Sequence, residues 1–213
     1  MDSEKSIEKL KYKMTLLGDT AVGKTSLFKK LTKEEFDPKI VSTIGIDKKT
    51  LNFNINTSKG EKEVEISLYD TAGQEKFRSI SISYFRDSKG LLVIYDITNF
   101  ESFKNVEHWL VDIKDSVGNN DDYLIILIGN KLDLIKDDPQ KRDVEEGEAK
   151  EFCTKNKILW GGECSAKDDS SEKLKEMFIN YIEEMYKKVG ANIKKNDESL
   201  LKNLNGKKKK GCC

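Results

Sequence analysis

The chain has 213 residues, 37% hydrophobic and 36% charged, with 38 Lys and Arg balancing 38 Asp and Glu. That length suits one domain of ordinary size with appendages, and the apolar share allows one core under a strongly charged surface. Zero net charge gives no reason to expect nucleic acid as a partner, four Cys are too few for a disulfide framework and suit a reducing cytosol, and no apolar run is long enough to span a bilayer. The charge is nevertheless uneven. Residues 190–213 hold seven Lys against Asp197 and Glu198, a net of +5, which leaves −5 on residues 1–189. A basic tail on such a body points to an anionic partner for the tail.

The first residues, Met1-Asp2-Ser3-Glu4-Lys5, carry no apolar core of a signal peptide. Tyr12 to Leu17 then reads as a short buried strand, and Ser26 to Leu31 as an amphipathic helix. Between them, Gly18-Asp19-Thr20-Ala21-Val22-Gly23-Lys24-Thr25 fits G-x-x-x-x-G-K-[ST], in the strand–loop–helix context that this phosphate-binding motif requires. Its backbone N–H groups are expected to wrap phosphates at the positive end of the helix. Lys24 is expected to reach the β- and γ-phosphates, and the Thr25 hydroxyl to bind Mg²⁺. A chance glycine turn before a helix is the bland alternative.

Residues 47–56 and 62–69 alternate apolar with polar and are joined by Thr57-Ser58-Lys59-Gly60-Glu61, an antiparallel hairpin at a sheet edge. Asp70-Thr71-Ala72-Gly73-Gln74-Glu75 follows the second of these strands. An Asp at a strand end can hold Mg²⁺ through water, Gly73 leaves an N–H open to a γ-phosphate, and Gln74 stands where an attacking water could be oriented.

Residues 90–95 and 123–128 are continuous apolar runs, as parallel strands covered on both faces require. Between them Phe103, Val106, Trp109, Leu110, Ile113 and Val117 form a helical core stripe; His108 lies off it and reads as surface. Asn130-Lys131-Leu132-Asp133 follows the 123–128 strand. A carboxylate there accepts two hydrogen bonds from guanine N1–H and the N2 amino group, a pair adenine lacks, so Asp133 selects guanine. Lys131 can lie along the base and Asn130 can brace the loops. Glu163-Cys164-Ser165-Ala166-Lys167, after residues 157–160, is expected to bring the Ala166 N–H near guanine O6.

A last helix is expected on the stripe Leu174, Met177, Phe178, Tyr181, Ile182, Met185 and Val189, capped by Asp169 with Glu172 three residues on. After Val189 the pattern stops, and residues 190–213 read as a flexible, Lys- and Asn-rich tail.

The stretches Gly18–Thr25, Asp70–Glu75, Asn130–Asp133 and Glu163–Lys167 stand in the order and spacing of the Ras-like small GTPases, and the chain resembles that family over residues 10–189. The resemblance implies an α/β fold: a single-domain P-loop small GTPase fold with a six-stranded, mostly parallel sheet flanked by helices. Residues 1–189 would form this domain with a short N-terminal extension, and 190–213 the tail. GTP or GDP and Mg²⁺ are implied as ligands. Asp19, Thr20, Ala21, Val22, Gly23, Lys24, Thr25, Ser26, Phe36, Thr43, Gly73, Asn130, Lys131, Asp133, Ser165, Ala166 and Lys167 would bind nucleotide. Thr25, Thr43 and Asp70 would bind the metal, and Gln74 with Lys24 would carry hydrolysis.

Within the superfamily the chain looks most like Rab, through Thr43-Ile44-Gly45-Ile46-Asp47, Phe77-Arg78-Ser79-Ile80, Ser83-Tyr84-Phe85-Arg86, Tyr95-Asp96-Ile97-Thr98 and the terminal Gly211-Cys212-Cys213. This implies a vesicle-trafficking switch, geranylgeranylated on Cys212 and Cys213, lipid-anchored on the cytoplasmic face of an intracellular membrane with a cytosolic pool. It also implies an activating protein, an exchange factor, a GDP-dissociation inhibitor, prenylation machinery, and effectors bound through residues 36–50 and 70–86, with the chain itself a monomer. Ile40 stands where many relatives carry a Tyr lid. Lys48, Tyr69 and Asp87 stand where Rabs usually carry Phe, Trp and Gly. Only three Arg occur, and none lies in residues 26–47, so hydrolysis is expected to be slow without an activating protein. Another Ras-superfamily signalling GTPase is the nearest rival. A P-loop kinase or ATPase, and a non-cycling nucleotide-binding scaffold, are rivals of other classes; Asp133 argues against the first, and intact Lys24, Thr25, Thr43, Asp70 and Gln74 against the second.

Overall fold

The computed structural model describes residues 10–33, 46–58, 60–71, 85–117, 122–136 and 138–207, with side chains up to 190. Six strands form one sheet: β1 Leu10–Leu17, β2 Ile46–Thr57, β3 Gly60–Thr71, β4 Gly90–Asp96, β5 Leu124–Asn130 and β6 Leu159–Glu163. Their order is β2-β3-β1-β4-β5-β6. Only β2 runs antiparallel, on β3 at one edge; every other pairing is parallel. The sheet is thus the mostly parallel one that the alternating strands and helices require.

The continuous apolar run of β4 is buried throughout, because helices cover both of its faces. On one face α1 (Lys24–Leu31) and the start of α5 (Ser171–Lys207) pack on the sheet through Leu27, Phe28, Leu174, Phe178, Tyr181, Ile182 and Met185. On the other, Phe103 of α2 (Phe100–Lys104), the stripe Val106, Trp109, Leu110 and Ile113 of α3 (Val106–Val117), and Ala149 and Cys153 of α4 (Glu146–Asn156) form a second core. Burying each large apolar side chain stabilises the fold by roughly 1.5–3 kcal/mol. His108 is exposed, as its place off the stripe requires.

The hairpin turn is tighter than the sequence suggests. Pairing continues to Thr57 opposite Gly60, so two residues make the turn, and Gly60 takes φ +99 with open space around it. The cap of α5 also differs. Ser170, not Asp169, accepts from the Lys173 N–H through its hydroxyl at 3.1 Å, while Asp169 accepts from the Ser165 N–H and from Lys173 Nζ. The carboxylate is drawn back to the 163–167 loop, so a serine one residue later takes the capping position. The backbone of α5 continues to Lys207, well past Val189, where the apolar stripe ends. The loss of an apolar face does not stop a helix when no Pro intervenes and Ala, Leu, Lys and Glu follow.

Strand β6 carries a bulge. Leu127 pairs with Trp160 but Gly129 with Glu163, so β6 has one residue more than its partner. A Cβ on Gly161 would come within 2.8 Å of Ile126 and 3.0 Å of the Leu127 oxygen, and Gly162 takes φ +94. Two glycines are therefore needed to deliver Glu163 to Lys167 to the end of the sheet.

Candidate functional site

Three loops meet at the carboxyl ends of β1, β3, β5 and β6, where an open parallel sheet collects its ligands. The first is residues 18–23. Gly18, at φ +133, lies so close to Ile94 that a Cβ would sit 2.1 Å from its carbonyl oxygen. Gly23, at φ +95, would bring a Cβ within 2.2 Å of the Asn130 amide nitrogen. These two positions fit glycine alone. Helix α1 then starts at Lys24 with no side-chain cap and no acidic residue in its first turn. Its leading N–H groups and the positive end of its dipole are left for an anion.

Lys24 is buried beside this helix end and donates to the carbonyls of Gly18 at 2.9 Å and Asp19 at 2.6 Å. Burial pushes its ammonium pKa down to about 8, against the opposing pull of Asp70 and Asp19. Thr25 donates its hydroxyl to Asp70 Oδ2 at 2.6 Å. Burial pushes the Asp70 carboxyl up to about 6, against the Thr25 hydrogen bond and Lys24. The other oxygen, Asp70 Oδ1, is buried without a hydrogen-bond partner. An orphaned carboxylate oxygen beside a hydroxyl and a phosphate loop is a donor set that fits Mg²⁺, which takes few protein ligands and completes its shell with phosphate and water. No cluster of three or more His, Cys, Asp or Glu competes for such an ion among the described residues.

The second and third loops hold one another. Asn130 donates from Nδ2 to the Val22 carbonyl at 2.8 Å, and its Oδ1 accepts from the Ala166 N–H at 3.1 Å. Asn130 thus joins the phosphate loop to the 163–167 loop, with Gly23 underneath it. Asp133 accepts from Ser165 Oγ at 2.6 Å, and Lys167 Nζ stands 4.0 Å from its second oxygen. Lys131 takes φ +72 and pairs with Asp96 Oδ2 at 2.6 Å. Ala21, Gly23, Ser26, Asn130, Asp133 and Ala166 are among the residues lining a cleft of about 320 Å³. Asp133 is the one carboxylate among its described lining residues, and Ser26 of α1 lines the same cleft. Asp19 turns its carboxylate to α3 and so would meet a nucleotide through its backbone. Thr20 and Ala21 are exposed and Val22 is buried.

The structure therefore gathers Asp19 to Ser26, Asp70, Asn130, Lys131, Asp133 and Ser165 to Lys167 at one end of the sheet. Phe36, Thr43, Gly73, Gln74, Cys212 and Cys213 lie outside the described residues. Sequence reading passed over Asp96, which holds Lys131, and Asn105 and Trp109, which hold Asp19. Trp109 was legible as core, yet a buried indole N–H asks for an acceptor. That demand was the available signal.

Farther along the sheet, Lys48 and Tyr69 face each other across β2 and β3. The ammonium groups of Lys48 and Lys13 lie 5.5 Å and 4.9 Å from the Tyr69 ring centre. Two large apolar residues expected by resemblance are here replaced by a cation–aromatic pair. Asp87 adopts φ +66, a left-handed turn that Gly would take freely and Asp tolerates.

Comparison with known proteins agrees with this geometry. A family model described as the Ras family matches residues 13–187. The chain is 38% identical over 177 residues to Ras-related protein Rab-27B of Homo sapiens, covering 80% of this chain and 78% of that one. It is 37% identical over 176 residues to Ras-related protein Rab-11A of Dictyostelium discoideum, covering 82% and 76%. With Ras-related protein YPTC6 of Chlamydomonas reinhardtii it shares 32% over 213 residues, covering 95% and 94%.

Proposed function

The chain belongs to the Ras family as a Rab-type GTPase that binds GTP and GDP and hydrolyses GTP, and from that premise we propose that it is a lipid-anchored switch of intracellular vesicle trafficking. One observation supports the reading most: Lys24, Thr25 and Asp70 converge beside an uncapped helix end, with Asp70 Oδ1 buried and unpartnered.

In this reading the phosphates lie over Gly18–Thr25 and guanine enters the cleft between Ala21 and Ala166. Asp133 accepts from the guanine edge, and Asn130 keeps the three loops in register. Lys24 carries a desolvated positive charge to the β- and γ-phosphates. Thr25 and Asp70, with Thr43, would hold Mg²⁺, which when bound neutralises charge between those phosphates. Gln74 would orient the water for in-line attack on the γ-phosphate.

Hydrolysis is slow in the isolated chain because none of the three Arg lies in residues 26–47, where a built-in arginine finger would have to come from. Arg142 is spent on Glu163, a two-pronged pair at 2.7 Å per bond and largely buried. An activating protein would add the missing charge, for a gain of roughly 10³–10⁵ in rate. An exchange factor would reload the site. Effectors, through residues 36–50 and 70–86, would read the bound nucleotide.

Residues 190–213 would form a basic tail ending in Cys212 and Cys213, geranylgeranylated on both, since two lipid chains anchor stably where one does not. Lys207 to Lys210 would add about 1 kcal/mol each at an anionic surface. A GDP-dissociation inhibitor would maintain the cytosolic pool. No described helix is long and apolar enough to cross a membrane. Changing both Cys to Ser is expected to move the protein from the membrane to the cytosolic fraction of cells; retention on membranes would refute the anchor.

A further inference from the structure

Residues 18–25 contain one acidic side chain, Asp19. A carboxylate in a phosphate cradle is a liability, because like charges a few ångströms apart repel strongly where water is excluded. Both of its oxygens are held from outside the loop. Trp109 Nε1 of α3 donates to Oδ1 at 2.9 Å, and Asn105 Nδ2, at the junction of α2 and α3, donates to Oδ2 at 2.7 Å. Trp109 is 6% exposed, so one of these donors is in a dry setting. The main-chain carbonyl of Asp19 meanwhile accepts from Lys24 Nζ.

We propose that Asn105 and Trp109 are positioning residues for nucleotide binding, whose two N–H donors draw the Asp19 carboxylate toward α3 and offset its charge before the phosphates arrive. The proposal rests on the reading of Gly18–Thr25 as the phosphate cradle. It explains why a tryptophan on a core stripe points its polar edge at this loop, and it makes α3 part of the nucleotide site although no residue of α3 lines the cleft.

The test uses the purified full chain and the dissociation rates of GTP, GDP and GMP. Asn105→Leu and Trp109→Phe each remove one hydrogen bond to a charged acceptor. Each is expected to speed GTP release roughly tenfold. GDP should be affected less and GMP least, because the repulsion grows with the charge of the ligand. Adding Asp19→Ala to the double variant should return GTP release to the rate of Asp19→Ala alone. A merely structural role would not give that rescue or that ranking by phosphate number. Equal acceleration of all three nucleotides, no acceleration, or failure of Asp19→Ala to rescue would each overturn the proposal. Should Trp109→Phe unfold the chain, Asn105→Leu, at a half-buried helix junction, carries the same ranking test. A wild-type chain that does not hold GTP, with Lys24→Ala no different from it, would strike instead at the phosphate-cradle reading.

Discussion

In the proposed reading, the phosphate end and the base end of the site are built on opposite electrostatic plans. At the base end the polar groups are already satisfied by one another: Asn130 by Val22 and Ala166, Asp133 by Ser165, Lys131 by Asp96. At the phosphate end two charges sit buried with their pKa values displaced toward neutrality, and one carboxylate oxygen has no partner. The difference teaches how affinity and selectivity separate. A preorganised base end discriminates between bases, because a wrong one leaves satisfied groups unsatisfied. A strained phosphate end contributes affinity, because ligand binding relieves a cost the free protein already bears.

The largest effect is expected from Lys24→Ala. Removing the ammonium proposed to face the phosphates should lower GTP affinity by on the order of 10²–10³. The nucleotide-free variant should unfold at the same or a higher temperature than wild type, since a desolvated charge is gone. Titration with labelled GTP and thermal unfolding of the free chain check both halves. A variant that loses stability along with affinity would contradict the strained-end account.

Asp133→Asn probes the other end. It removes two hydrogen bonds to a charged acceptor, so GTP affinity should fall by roughly 10². An amide also presents a donor, which suits a base bearing a carbonyl at C2, so xanthosine triphosphate should gain relative to GTP. Competition binding measures the ratio. An unchanged ratio would mean that Asp133 does not face the base.

The smallest effect is the pH dependence of the free chain. The folded pKa of Asp70, about 6, lies above the ordinary carboxyl value, so the fold holds that proton more tightly than the unfolded chain does. Its contribution is full below about pH 4 and is lost as pH rises through 6. Lys24 lies below its ordinary value, at about 8, so its contribution is full only above about pH 10 and is lost as pH falls through 8. Stability of the nucleotide-free chain should therefore dip between pH 6 and 8. Each limb amounts to roughly 2–3 kcal/mol. Asp70→Asn should flatten the acid limb and, because the Asp70 charge no longer holds the Lys24 pKa up, deepen the alkaline one. Denaturant unfolding across that range, with nucleotide removed, measures it, and a flat profile would count against the displaced charges.

The sequence by itself showed the loops and the residue types on which their proposed chemistry rests. Gly18–Thr25, Asp70, Asn130–Asp133 and Ser165–Lys167 were legible because each depends on local backbone and on residue types that few other roles require. The parallel sheet was legible too, since β4 and β5 are apolar runs with no polar face. Only the tertiary structure decided who holds whom. That Asn130 stitches the 18–23 loop to the 163–167 loop, that Asp169 leaves the helix cap to Ser170, and that Trp109 and Asn105 restrain Asp19 all depend on partners from 3 to 108 positions apart. The physical reason is one of range. Periodicity and propensity act over a turn of helix or a strand, whereas a hydrogen-bond partner across the site is fixed only when packing of the sheet brings two distant segments within about 3 Å.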